Sequence, residues 1–306
     1  MKHLIIISIT AILLFSCSKN EPLGWKYPDM SQVPKTPAGD MIKFGKELIS
    51  HTNVHIGPYA ENPARRFAGN NLVCSNCHID AGTRPNTLGF VGTYLLYPAY
   101  SGRVDTIISI RQRINECMVR SMNGRPLPFE SYEMNCLVAY YQWISIDVIP
   151  KMAEQYDQLK KLKFMDRAAD PNLGRAVYNR KCNTCHAENG AGAYLSGEVE
   201  KGFDIPSVWG IDSYNNGAGM YRLITAAEFV KAKMPYYNAN LTDEESWDVA
   251  AYLVSKPHPF MVGLEKDFPD LNEKPIDCPY PPYADSLSVD RHKYGPFTGL
   301  KGKVGK

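Results

Sequence analysis

Apolar residues recur along this chain at helical spacing, and the stretches between them are irregular rather than alternating. From Asp40 to Ser50, Met41, Phe44 and Leu48 share one face, which predicts a helix. The spacing predicts a second helix over 104–121, with Val104, Ile107, Ile108, Ile114 and Met118 inward. A third, near Ser131 to Ile146, gathers Met134, Leu137, Val138, Tyr141 and Ile144. Pro171 opens a short helix with Leu173, Val177 and Tyr178 on one face and Gly174 permitting close helix approach. The last begins at Thr242, where Thr242 and Glu245 form a capping box. Trp247, Ala250, Ala251 and Val254 follow at helical spacing until Pro257 stops the helix. A Pro/Asn/Gly loop precedes Cys74, and Gly82, Pro85, Gly89, Gly92 and Pro98 mark a long irregular wrap after it. The pattern predicts an all-α protein with two helical domains in tandem, the first enlarged by long loops.

The N-terminus departs from this pattern. Lys2, the apolar run Leu4 to Phe15 and then Ser16-Cys17 read as a secretory signal. Leu14-Phe15-Ser16-Cys17 looks like a bacterial lipobox, which implies cleavage before Cys17 and lipidation of that cysteine. The alternatives are an ordinary signal peptide with an incidental Cys17 and an uncleaved anchor, for which the apolar run is too short to span a bilayer comfortably. The expected protein is exported, anchored to the membrane through Cys17, and faces the periplasm. The expected organisation is a signal over 1–17 and a Pro, Lys and Ser-rich tether over 18–38. An N-terminal domain (39–160), a C-terminal domain (161–258) and an extended tail packing on the body (259–306) follow. The 306 residues allow two domains. A formal net charge of +2 argues against a nucleic-acid partner.

The chemistry lies in a pentapeptide that occurs twice, CSNCH at Cys74 to His78 and CNTCH at Cys182 to His186. Cys-x-x-Cys-His is the attachment site of a c-type haem. Cys74, Cys77, Cys182 and Cys185 would bond two haems covalently, and His78 and His186 would ligate iron. Zinc hooks would need further Cys or His ligands at matching spacing, and neither copy has them. For the second haem the upper ligand should be a methionine before the last helix. Met234 in AKMP, stiffened by Pro235, is preferred over Met220 in NNGAGM. Lys233 is an ordinary solvated charge, a competitor for iron, or a hold for an anionic substrate. The first domain has no methionine in a comparable position. Its second helix instead lines up Arg113, Cys117 and Ser121 at i, i+4 and i+8, with Arg120 beside them and Arg103, Arg111 and Arg125 nearby. Such cations favour a thiolate and an oxyanion. A buried structural cysteine among surface arginines accounts for the stripe equally well. Cys136 reads as a small core residue, a Cys136–Cys278 disulfide is possible, and His51 and His55 read as loop histidines rather than ligands.

The stretches RRFAGNNLVCSNCHIDAGT, RINECMVRSMNGRPL, NNGAGM with FVKAKMP, and KPIDCPYPPYADSLSVDRHKYGPF together resemble the dihaem c-type thiosulfate dehydrogenases. The likeness runs from about Gly39 to about Phe297 and implies tetrathionate formation from two thiosulfate ions. It further implies that Cys117 is the second axial ligand of the first haem, opposite His78. Met234 would ligate the second haem, Lys233 would be able to exchange with it, and Ser121 would belong to the active site. Two thiosulfate dianions brought together repel, and Arg113 and Arg120, with Arg103, Arg111, Arg125 and Lys233 as further candidates, would offset that charge. Cys117 sulfur would either tune the iron or form a covalent intermediate. Electrons would leave through the His/Met haem to a small redox protein or a membrane oxidase, and the reverse reaction uses the same site. Two rivals remain: a dihaem electron-transfer lipoprotein with no substrate, and the related Sox cytochrome subunit.

Overall fold

The computed structural model describes residues 28–149, 153, 156, 159–300 and 302–304. The signal run, Cys17 and the first part of the tether lie outside the described residues. The predicted class holds: helices dominate, with two two-stranded ribbons. No helix among the described residues is long and apolar enough to cross a membrane.

Each domain is built on one crossed helix pair, and a glycine makes each crossing possible. In the first, Pro37–Ser50 packs on Tyr132–Trp143. A Cβ on Gly45 would sit 2.1 Å from the Cys136 carbonyl oxygen. In the second, Pro171–Lys181 packs on Asp243–Ser255, and a Cβ on Gly174 would sit 1.9 Å from the Asp248 carbonyl oxygen. Any side chain there would force the helices apart. The first helix begins earlier than its apolar pattern, because Thr36 accepts from the Gly39 amide at 3.2 Å and Pro37 suits the first turn. The predicted capping box at Thr242 and Glu245 is present, and Trp247, Ala250, Ala251 and Val254 are buried. Leu173 is half exposed and does not share the buried face of Val177 and Tyr178.

The predicted helix over 104–121 is corrected. Ala99–Ser101 pairs antiparallel with Thr106–Ile108, and the helix runs only from Ile110 to Arg120. Ser109 caps it through a reciprocal box with Gln112, which fixes the start. The apolar residues before Ser109 are β-branched Val104, Ile107 and Ile108, which suit a hairpin, and Val104 and Ile107 are exposed.

Residues 259–306 form the tail after the last long helix. It carries a short helix, Val289–Tyr294, and Phe297 and Ile276 pack into the core beside Trp247. Cys136 and Cys278 are both buried free thiols, so the disulfide is absent.

Candidate active site

Both pentapeptides open onto one continuous cavity of about 1320 Å³. Cys74, Cys77 and His78 line one part of it, with Leu72, Phe90, Ile114, Met118 and Tyr141 around them; Cys182, Cys185, His186 and Met234 line another. His78 Nδ1 hydrogen-bonds the Leu88 carbonyl, and its ring packs on Phe90 with centroids 4.1 Å apart. Burial pushes its pKa down to about 4, so the imidazole is neutral with Nε2 available. His186 is held the same way: Nδ1 bonds the Pro206 carbonyl at 2.9 Å, and burial lowers its pKa. An outer carbonyl that fixes the tautomer is what an iron-ligating histidine requires. Burial, with Cys117 contributing, drives the Cys74 and Cys77 thiols up to about 11 and about 12. These groups fit two covalently bound haems, with His78 and His186 as ligands. The two candidate methionines separate here. Met234 packs in the cluster that contains Cys182, Tyr178 and Trp209, whereas Met220 packs against the first domain's core.

Cys117 faces the same cavity as His78. Arg113, one turn back, donates from Nη1 to Cys117 Sγ at 3.2 Å and to Glu116 Oε2 at 3.4 Å. Ser121 sits at the helix end, on the cavity wall, and its carbonyl accepts from Asn70 Nδ2 at 3.0 Å. Arg120 is buried. It donates to Asp267 Oδ1 at 2.7 Å and to the Gly217 carbonyl at 3.1 Å, and it reaches the cavity wall. Arg103, from the hairpin turn, joins it through Asp267 Oδ2 at 3.0 Å. Burial works against the Arg103 charge, but Tyr280, Asp267 and Glu116 outweigh it and its pKa is raised. Arg111 and Arg125 are not part of this group. Arg111 bonds the Phe129 carbonyl and Asn135, and Arg125 bonds the Ala64 and Arg66 carbonyls while stacking over Phe67. Lys233 ends its helix beside Met234, and its charged neighbours are Arg84 and Asp80 rather than Arg113. His51 bonds Glu47, and His55 packs on Phe44.

Sequence reasoning missed Glu116 and Asp267. Glu116 was legible, since it lies three residues after Arg113, but a carboxylate gives no reason to expect it in an anion site. Nothing in the tail's sequence points Asp267 at arginines 147 and 164 residues away.

The second domain braces the end of the Cys117 helix directly. Asn215 Nδ2 donates to the Val119 carbonyl at 2.8 Å and to Asn123 Oδ1 at 3.2 Å, and its backbone amide donates to the Arg120 carbonyl. Asp212 accepts from the Asn71 amide at 2.7 Å and from Asn71 Nδ2 at 3.0 Å, just before CSNCH.

Comparison with known proteins identifies two cytochrome c domains. The family model described as SoxA/TsdA, cytochrome c domain, matches residues 65–148. The one described as cytochrome c oxidase, cbb3-type, subunit III, matches residues 169–253. A thiosulfate dehydrogenase of Psychrobacter arcticus is 34% identical over 248 residues, covering 80% of this chain and 72% of that protein. The chain belongs to the thiosulfate dehydrogenase family. A thiosulfate dehydrogenase of Allochromatium vinosum is 33% identical over 237 residues, 76% of this chain and 83% of that one. Among solved structures, the thiosulfate dehydrogenase TsdBA from Marichromatium purpuratum, in its as-isolated form, matches with a TM-score of 0.70 at 30% identity. That match covers 78% of this chain and half of the TsdBA chain. As in that family, the chain is a cytochrome with two c-type domains in tandem.

Proposed function

We propose that the protein oxidises two thiosulfate ions to tetrathionate beside Cys117 and passes the electrons through its second domain to an external acceptor. The observation that carries this reading is Cys117 Sγ on the wall of the His78 cavity, with Arg113 Nη1 3.2 Å away. Each thiosulfate gives up one electron, and a bond forms between the two terminal sulfurs. No proton is gained or lost. Such a reaction needs cations and an electron sink rather than an acid–base pair. Haem, when bound, supplies that sink one electron at a time.

The protein's own task is electrostatic. Two dianions in a partly dry cleft repel far more strongly than in water. Arg113, Arg103 and Arg120 offset that repulsion, and their planar forks match sulfur oxyanions. Ser121 adds a hydroxyl at the same wall. In this reading His78 and Cys117 hold the first iron, and His186 and Met234 the second. The likeness to the family supports Lys233, next to Met234 in the chain, as the residue that would exchange with it. The anionic sulfur at the first site favours a lower potential there and the His/Met pair a higher one, so electrons run outward. A small redox protein or membrane oxidase receives them, and the same groups serve the reverse reaction. The signal-like N-terminus supports a location outside the cytoplasm, with a tether through a lipid on Cys17. The deciding experiment is steady-state turnover of the purified full chain with thiosulfate and ferricyanide. Turnover is expected in the wild type and a loss of at least about 100-fold in Cys117→Ala with both haems retained. Absence of turnover in a fully haem-loaded wild type would leave an electron carrier with no substrate.

A further inference from the structure

Asp267 lies in the tail, outside both cytochrome domains, yet it is buried behind Arg103 and Arg120, which line the cavity, and is bonded to three groups. Its Oδ1 accepts from Arg120 Nη2 at 2.7 Å. Its Oδ2 accepts from Arg103 Nη1 at 3.0 Å and from the Tyr280 hydroxyl at 2.8 Å. We propose that Asp267 is a positioning residue for anion binding, a yoke that holds Arg103 and Arg120 together in the geometry that receives thiosulfate. The proposal rests on the function above and adds a part of the chain that the active site needs.

The two arginines come from separate elements, Arg120 from the helix after Ser109 and Arg103 from the hairpin turn. Two guanidinium groups brought together repel unless a carboxylate lies between them. The tail is anchored at the same point by its backbone, since the Phe268 amide donates to the Arg103 carbonyl at 2.8 Å. The Phe268 ring then lies 5.2 Å from the Arg103 guanidinium. Asp267 accepts from one terminal nitrogen of each arginine and leaves other donors available. Arg120 Nε is buried and has no hydrogen-bond partner among the described residues. Long arginine side chains lose much rotamer freedom when ordered, and a yoke meets that cost before the anion arrives.

A carboxylate also removes one positive charge from the site, so two effects oppose each other. If charge cancellation were all that Asp267 did, Asp267→Asn would bind anions more tightly. If positioning dominates, the same variant binds them more weakly. The probe is inorganic sulfate, a tetrahedral dianion that does not react. It is titrated against the haem-loaded full chain by the Soret absorbance change and by competition with thiosulfate. Asp267→Asn is expected to weaken sulfate binding and raise the KM for thiosulfate, each about 10-fold. The kcat should change less than about two-fold, haem spectra should match the wild type, and Asp267→Glu should recover part of the loss. Should the Asn variant not fold, Tyr280→Phe removes one bond from the same carboxylate and is expected to weaken sulfate binding about three-fold. Unchanged or tighter sulfate binding in a folded variant overturns the proposal. Sulfate binding that weakens as expected, in a protein with no thiosulfate turnover, would overturn the function and leave the yoke standing.

Discussion

Arg113 approaches the Cys117 sulfur from one turn back on the same helix, so a rigid element rather than a loop sets their distance. On the proposed reading the Cys117 sulfur ligates the first iron, and a charge-assisted donor on such a sulfur withdraws electron density from it, an effect of about 1.5–3 kcal/mol. Arg113→Gln should therefore lower the first haem's reduction potential by tens of millivolts, taking 59 mV as about 1.4 kcal/mol for one electron. It should also cut kcat/KM at least about 10-fold through loss of a cation. Spectroelectrochemistry and steady-state kinetics test the two effects separately, and a raised potential would contradict the first. At this scale the stripe of Arg113, Cys117 and Ser121 was legible because helical spacing alone aligns i, i+4 and i+8. The same spacing could not separate Arg113 from Arg111 and Arg125, which turn to backbone carbonyls elsewhere. Their direction depends on the loops they meet, and those loops are distant in sequence.

Capping chemistry decides element boundaries here more sharply than apolar spacing does. The helix after Ser109 is shorter than its hydrophobic pattern because the box of Ser109 and Gln112 fixes the start, and the β-branched residues before it form a hairpin. At Thr242 the pattern and the cap agree, so that helix was readable in full. Glu245 in that cap carries a pKa lowered to about 2. The largest cause is the Thr242 backbone bond, with Lys181 and Arg180 adding to it. Its folded value lies below the ordinary carboxylate value of 4.5. The stability it contributes is therefore full above about pH 4.5 and is lost as pH falls through about 2. The group is partly solvated, so its contribution is about 1 kcal/mol rather than the full shift. Glu245→Gln should be less stable than the wild type at pH 7, with the difference closing between pH 4.5 and 2. Urea midpoints measured across that range check this, and a constant gap would show that the charge is irrelevant.

Across the whole molecule, the two domains are joined by side chains that the sequence presented as features of one cytochrome domain. The NNGAGM stretch was read as a source of an iron ligand or core packing. In the structure its Asn215 ties the second domain to the end of the Cys117 helix. No local pattern encodes that role, because the partners are the Val119 carbonyl and Asn123, about 90 residues earlier in the chain. The same asparagine accepts from the Gly217 amide at 3.0 Å, which places the Gly217 carbonyl where Arg120 Nη1 reaches it. Asn215→Ala keeps the backbone bond to the Arg120 carbonyl but strands the Val119 carbonyl, the Asn123 side chain and the Gly217 amide. Losing buried partners of this kind costs about 1–3 kcal/mol. The loss falls on the contact between domains, whereas each crossed helix pair stays intact. Calorimetry should therefore resolve one cooperative transition into two, with the first domain melting earlier. Turnover should fall with the displacement of Arg120, while haem content stays unchanged. A single transition merely shifted to lower temperature would mean that the domains are coupled elsewhere, through the tail and its Asp267.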